Sequence, residues 1–157
     1  MSQAAATTHD SSDWMALEDA LLAVLQSAVA GISPAVKVLG AAELSKVHES
    51  NAPSPAVHLI YMGYTPVEDA GSALMLEHRW IVAVAVKNAA TLATGAAQRA
   101  AVGKLQTQVI RAMLAAKLPN ARSAVRLLAR PAAHYEPGWR LEPHAFSVKT
   151  VFNKLAA

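Results

Sequence analysis

Histidine is the residue type in this chain best suited to chemistry, because imidazole binds metal ions and moves protons near neutral pH. The 157 residues include six histidines and no cysteine. No two histidines have the H-x-x-x-H spacing, and no thiolate is available to complete a zinc site. His58 and His78 fall on two predicted neighbouring strands, where they could face each other. The sequence therefore predicts no metal site, and it leaves His58 with His78 as the pair that a small enzyme would use.

Other reactive patterns are incomplete. The segment GKLQT at Gly103 resembles a phosphate-binding loop, but Leu105 replaces the required Ser or Thr and Gln98 replaces the upstream glycine. No G-x-S-x-G turn presents a nucleophilic serine. The adjacent carboxylates Glu68 and Asp69 lie in a predicted loop, where a solvated acidic tip or a contact with a basic neighbour suits them better than acid-base catalysis. We therefore predict a protein that is not an enzyme and has no catalytic, metal-binding or cofactor-binding residues.

The stretch EHRWIVAVAVKN is predicted to be the central strand, because its side chains alternate between two faces. One face carries the bulky Trp80, Val82 and Val84, and the other carries the small Ala83 and Ala85. The apolar run at residues 80–86 is seven residues long, far shorter than the roughly 20 residues that a membrane helix needs. The contrast between the two faces predicts that another element lies close against the small one.

A helix predicted over residues 94–118 is the element expected to make that contact. Gly103 lies inside it, and a glycine within a helix costs about 1 kcal/mol relative to alanine, so close packing is its expected purpose. We therefore expect Ala101 and Gly103 of this helix to pack against Ala83 and Ala85 of the strand. The apolar stripe of the helix is Val102, Leu105, Val109 and Met113.

The remaining elements predict an α+β fold. A helix is expected to begin near Ser12 or Asp13 and to end before Gly31, because a polar cap precedes its apolar stripe and a glycine follows it. The order α-β-β-β-α-β-β predicts a mostly antiparallel or mixed sheet of about five strands, packed by two main helices. Residues 1–12 are predicted to be a flexible arm, and residues 13–157 a single domain. The other predicted segments are a strand at 35–39, a strand at 55–64, a loop at 65–72, a strand at 124–130, a loop at 131–143 and a strand at 144–155.

Charge is distributed unevenly along the chain. Residues 1–78 carry a net charge of −7 and residues 79–157 a net charge of +10. Such a basic half could bind nucleic acid, or the two halves could meet within one fold or between neighbouring copies. Tyr135 and Trp139 lie in a predicted loop that is rich in proline and glycine, where aromatic side chains either pack back onto the fold or anchor a partner.

Several of these segments together resemble the tail terminator (tail-completion) proteins of long-tailed bacteriophages. The resemblance covers about residues 14–155. In place of the tryptophan that the family usually has after the second helix, this chain has AAKLP. The segments that carry the resemblance are SPAVHLIYMGY, the pattern E-x-x-W-x-V-x-V-x-V-K-N, QRAAVGKLQTQVIRAML with Arg99 and Gly103, and AHYEPGWRLEPHAFSVKTVF.

The resemblance implies a structural role in the virion, at the head-proximal end of the tail, after assembly in the host bacterial cytoplasm. Proteins of this family form a hexameric ring on the last ring of the tail tube. The ring stops tube polymerisation and provides the surface to which the head-completion (neck) proteins bind. In contractile tails it also holds the sheath. DNA passes through the lumen without sequence-specific binding.

The charge partition and the two predicted loops indicate where such a ring would make its contacts. We expect Glu68 and Asp69 at one contact. A second set of residues is expected at the other contact: Arg126, Arg130, Tyr135, Trp139 and Arg140. The alternatives are a nucleic-acid-binding module that uses the basic C-terminal half and, third, a small α+β enzyme.

Overall fold

The computed structural model of the protein describes residues 16–48, 51–87, 95–136 and 139–155. The element order confirms the predicted α+β fold, with a one-turn helix and a short strand in addition. The predicted arm and the predicted helix start lie outside the described residues, so the division into an arm and one domain stays a prediction. The elements are α1 (Ala16–Val29), β1 (Lys37–Leu39), α2 (Ala41–Leu44), β2 (Ala56–Asp69), β3 (Ala73–Lys87), α3 (Gly95–Ala115), β4 (Arg126–Leu127), β5 (His134–Glu136) and β6 (Trp139–Asn153).

The strands form one mixed sheet with the order β1-β2-β3-β6-β4, and β5 pairs with a different part of β6. Only β1 and β2 are parallel; the other described pairs are antiparallel. The long β3–β6 ladder places Trp80 opposite Phe146. Because facing residues of paired strands share a face, this pair defines one face of the sheet.

The core lies between that face and the helices. The apolar side chains are four residues apart in α1 and three or four residues apart in α3, and both spacings place them on one side of a helix. Burying one such side chain contributes about 1.5–3 kcal/mol. The sheet contributes Val57, Leu59, Trp80, Val82, Val84, Phe146 and Val148; α1 contributes Leu17, Leu21, Leu25 and Val29; and α3 contributes Val102, Leu105, Val109 and Met113.

The predicted contact between small residues is wrong. The helices pack on the bulky face of β3, whereas Ala83 and Ala85 are buried on the opposite face. Ala101 and Gly103 are exposed, because they lie outside the stripe that α3 turns toward the sheet. A Cβ placed on Gly103 would meet no atom within 4 Å. Close approach therefore does not explain this glycine.

The predicted loop at residues 65–72 is also wrong, because β2 and β3 continue to a short turn that contains Gly71 at φ +80°. The side chains there are exposed, but the backbone groups of β2 pair with β3, which in turn pairs with β6. The predicted loop at residues 131–143 likewise contains β5 and the start of β6, whereas the predicted strand at residues 124–130 is reduced to β4. No helix among the described residues is both long and apolar enough to span a membrane.

Gly103→Ala is expected to raise the free energy of unfolding by about 0.5–1 kcal/mol, because alanine restricts the unfolded chain and fits an open helix position. Urea unfolding measures the change. Gly71→Ala is the control, and it should destabilise the fold because its positive φ is unfavourable for a residue with a Cβ. A loss of stability in the Gly103 variant would instead point to a close packing contact on the exposed side of α3.

Candidate functional site

The predicted acidic contact lies at the end of β2, where Glu68 and Asp69 are both exposed. Asp69 Oδ1 accepts a hydrogen bond from the backbone N–H of Gly71 at 2.9 Å and forms an ion pair with Lys154 Nζ at 2.7 Å. These two hydrogen bonds, that of Lys154 first, lower the pKa of Asp69. Asp69 therefore helps to join the tip of the β2–β3 hairpin to the end of β6.

The predicted basic contact divides into two environments. Arg126 is exposed in β4, where it lies opposite Ser147 of β6. Arg130 and Arg140 both form ion pairs with Glu142 of β6, so the structure brings these two residues together but leaves Arg126 apart from them. In the sheet order, β4 is an edge strand, and β3 and β6 separate it from β2. The residues predicted for two different contacts therefore lie at opposite edges of the sheet.

Glu142 is the centre of a buried ionic cluster that was not predicted from the sequence. Its side chain is 2% exposed, whereas those of Arg130 and Arg140 are 49% and 35% exposed. Removing a carboxylate from water costs several kcal/mol unless cations and hydrogen bonds compensate. Arg130 belongs to the connection between β4 and β5, so the ion pair fastens that connection to β6. The missed signal is that Glu142 has the same parity along the strand as Phe146, which places it on the core face.

The ionic cluster continues to His144, which lies on the same face of β6. The His144 Nε2 atom is 3.0 Å from Gln106 Oε1 on α3, which is a hydrogen bond between the sheet and the helix. Burial, followed by the positive charge of Arg130, lowers the pKa of His144. The cluster is thus built to hold α3 and the β4–β5 connection against β6.

Tyr135 and Trp139, the two aromatic residues predicted for the basic contact, belong to the β5–β6 hairpin. The backbone of Tyr135 pairs with that of Arg140, and the backbone of Trp139 pairs with those of Glu136 and Lys87. The side chains of Tyr135 and Trp139 lie outside what the structure describes. Their role in a contact stays a prediction.

The two histidines considered for an enzyme do not face each other. His58 lies opposite Ala83, and its Nε2 has no hydrogen-bond partner among the described residues. His78 lies on the core face, where its Nδ1 is 2.8 Å from the Tyr61 hydroxyl and its Nε2 is 2.9 Å from Thr150 Oγ1. His78 therefore joins β2, β3 and β6, and the expectation of a His58–His78 pair is wrong.

In the described part of the chain, two grooves run along α3. A groove of about 490 Å³ runs between α3 and the segment that follows α1, and it is lined mainly by apolar side chains such as Val36, Val86 and Leu105. No carboxylate or imidazole is among its lining residues, nor among those of the adjoining groove along α3. In the described ranges, no group of three or more His, Asp or Glu side chains is arranged to hold a metal ion.

Replacing both Arg130 and Arg140 by methionine is expected to cost about 3–5 kcal/mol of unfolding free energy, because the Glu142 carboxylate would stay buried without a cation. Each single variant keeps one cation, so the double variant should cost more than the two single variants combined. Glu142→Gln is the matched control and should cost less, since it removes the buried charge and keeps the shape. Urea unfolding of the four variants gives these energies, and small additive effects would show that the cluster does not hold β6.

Stability is expected to fall in acid. Burial lowers the pKa of His58, His78 and His144, so the unfolded chain takes up protons at a higher pH than the folded chain does. The contribution of these neutral histidines to the free energy of unfolding is therefore fully present above about pH 6.5. As the pH falls below that value, the free energy of unfolding decreases by at most about 1.4 kcal/mol per pH unit for each histidine. His78→Gln should reduce this slope in urea unfolding measured from about pH 7 to about pH 5. The same substitution at exposed His48 is the control, and an unchanged slope in the His78 variant would contradict the assignment.

Comparison with known proteins finds a matching family and similar solved structures. The family described as "Phage tail terminator protein" matches residues 15–156. A chain of the structure titled "Virion of native gene transfer agent (GTA) particle" is similar, with a TM-score of 0.48 and 19% sequence identity; the match covers 87% of this chain and 98% of that chain. A sequence comparison with curated proteins finds no match.

The family match includes every helix and strand described above, from α1 to β6, and thus the whole sheet on which the candidate contacts lie. The chain belongs to the phage tail terminator protein family.

Proposed function

We propose that the protein forms a hexameric ring that caps the tail tube, ends its polymerisation and provides the surface to which head-completion proteins bind. Membership of the family makes it a structural tail protein of a virion. The match over residues 15–156 is the observation that carries the proposal. The position at the head-proximal end of the tail, the assembly in the host cytoplasm, the contact with a sheath in contractile tails and the passage of DNA through the lumen belong to the same proposal.

The fold offers what a ring subunit needs. A closed ring uses one head-to-tail interface, so each copy must present two different surfaces that fit each other. The exposed acids Glu68 and Asp69 lie at the end of β2, and the exposed Arg126 lies in β4. Charges of opposite sign at opposite edges favour the correct orientation and register more than they add to affinity.

Arg126 is the best residue with which to test the electrostatic part. Arg130 and Arg140 also balance the buried Glu142, so reversing their charge would disturb the fold as well as a contact. Arg126 is exposed in β4, and no ion pair of this residue is recorded among the described residues. A change in assembly caused by Arg126 can therefore be separated from a change in folding.

Arg126→Glu is expected to weaken ring formation on tail tubes, because it reverses a charge at the proposed contact between copies. Electron microscopy of tails assembled with the variant should show overlong tubes and fewer tails joined to heads. Tails assembled without the protein should show the same two defects. Lys46→Glu reverses an exposed charge after α2 and serves as the control. Tubes of normal length that join heads in the complete absence of the protein would overturn the proposed function. Normal assembly with Arg126→Glu alone would overturn only its electrostatic part.

A further inference from the structure

The large apolar side chains that the described chain exposes are concentrated on two surfaces. There are six of them, between 42% and 74% exposed. Four belong to the projecting end of the sheet: Met62, Tyr64, Val67 and Leu155. The other two are Leu114, in the last turn of α3, and Leu127, in β4. Exposed apolar side chains that cluster, instead of being scattered singly, indicate a contact surface.

The first surface, which we call the hairpin surface, consists of Met62, Tyr64, Val67, Glu68, Asp69 and Leu155. It lies where β2 and β3 extend past the part of the sheet that the helices cover, since every residue from 64 to 72 is exposed. Beyond His58, no described strand pairs with the outer side of β2. The hairpin surface therefore combines the open edge of β2, which carries apolar side chains and carboxylates, with Leu155 just after the end of β6.

The backbone of this edge is poorly suited to accept a further strand. The pairing of β2 with β3 shifts register between Tyr61 and Gly63 and again between Pro66 and Glu68, so Met62 and Val67 are the extra residues of two β-bulges. Bulges interrupt the regular row of backbone donors and acceptors, and Pro66 supplies no N–H. Contacts on this edge must therefore be made mainly by side chains, and the bulges are where Met62 and Val67 become exposed.

The second surface, which we call the basic edge, consists of Arg111, Leu114, Lys117, Arg122, Arg126 and Leu127. All six residues are exposed. The stretch 111–127 contains no Asp or Glu, so its four cations have no acidic residue near them in sequence. The backbone N–H of Arg122 donates to the Lys149 carbonyl oxygen at 2.8 Å, and Ala121 bridges to Thr150, so the stretch is fixed along β6.

We propose that the hairpin surface of one copy binds the basic edge of the next copy, as the head-to-tail interface of the ring. This rests on the proposed function and names the residues that make the contact between subunits. Each surface combines exposed apolar groups with charged ones. The hairpin surface carries Glu68 and Asp69, of which Asp69 is already paired with Lys154, and the basic edge carries four cations. Because the two surfaces lie at opposite edges of one sheet, a copy cannot bind its own partner surface. A row of bound copies therefore keeps one free surface of each kind until the ring closes.

The residues named are the centre of the interface and not its whole extent. A stable interface buries about 800 Å² on each partner and involves roughly 20–30 residues a side. A few anchor residues near its centre supply most of the binding free energy. Met62 and Tyr64 on one surface and Leu127 on the other are the expected anchors, and Glu68 with Arg126 is expected to set the register.

Site-specific crosslinking tests the proposal directly, because the chain has no cysteine of its own. Met62→Cys and Leu127→Cys are made as two separate variants. The two variants are mixed, assembled on tail tubes of the same virion, and treated with a short bismaleimide crosslinker. A dimer that contains one copy of each variant is expected at several times the yield obtained from either variant alone. The chain that carries both substitutions should give a ladder of longer products that ends at the closed ring.

Ala23→Cys, on the exposed side of α1, replaces Met62→Cys in the matched control mixture and should give little dimer. Electron microscopy of the wild-type chain on the same tubes shows independently whether a ring is present. A ring without the Met62–Leu127 product above the control level would overturn the interface and leave the proposed function standing. The absence of any ring would overturn both.

Two further outcomes would overturn the interface. Efficient crosslinking of the Met62→Cys variant to itself would show that two hairpin surfaces meet each other. A basic edge that instead binds DNA would give no Met62–Leu127 product, and Arg126→Glu would weaken the binding of a short duplex, which falls steeply with added salt.

Discussion

The pairing of Trp80 with Phe146 across the β3–β6 ladder is the constraint on which the rest of the structure depends. The two residues lie opposite each other on β3 and β6, and both are buried beneath α1 and α3. Because side chains alternate along a strand, fixing this pair fixes the face of every other residue in the ladder. A shift of one residue would turn Val82, Val84 and Val148 away from the helices and bring small or charged side chains under them. The free energy of core burial thereby fixes the register of the whole sheet.

The same register also buries polar and charged side chains on the core face. Glu142, His144 and His78 have the same parity as Trp80 and Phe146, so the ladder places them under the helical layer or beside it. Each one has a specific compensation: two arginines for Glu142, Gln106 for His144, and the hydroxyls of Tyr61 and Thr150 for His78. These contacts cross between elements, so they stabilise particular strand and helix positions in addition to satisfying the buried atoms.

The sequence predicted the parts of the fold that depend on side-chain periodicity. The apolar stripes of α1 and α3 and the alternation of β3 are properties of one segment, and all three are confirmed. The purpose of Gly103 and the extent of β2 depend instead on what lies nearby in space. Ala83 and Ala85 are small on a face that α3 does not touch, and residues 65–69 are strand because β3 offers their backbone a partner. The ion pairs of Glu142 join residues 130, 140 and 142. They depend on the β5–β6 hairpin, which lies in the segment predicted from the sequence to be a loop.

Core and contact surfaces place separate demands on this fold. The segments that carry the family resemblance include the core residues Trp80, Val82, Val84 and Phe146, whose side chains must fit one close-packed arrangement. The side chains of Met62, Val67 and Leu127 are exposed and do not belong to the core. Met62 and Val67 lie at bulges that interrupt the ladder. A core that fixes the register, combined with edges that are free to vary, lets one sheet present different contact chemistry without being rebuilt. For that reason the side chains that fix the register and the side chains proposed for contacts are different ones, even within a single segment such as SPAVHLIYMGY, where Val57 and Leu59 are in the core and Met62 is exposed.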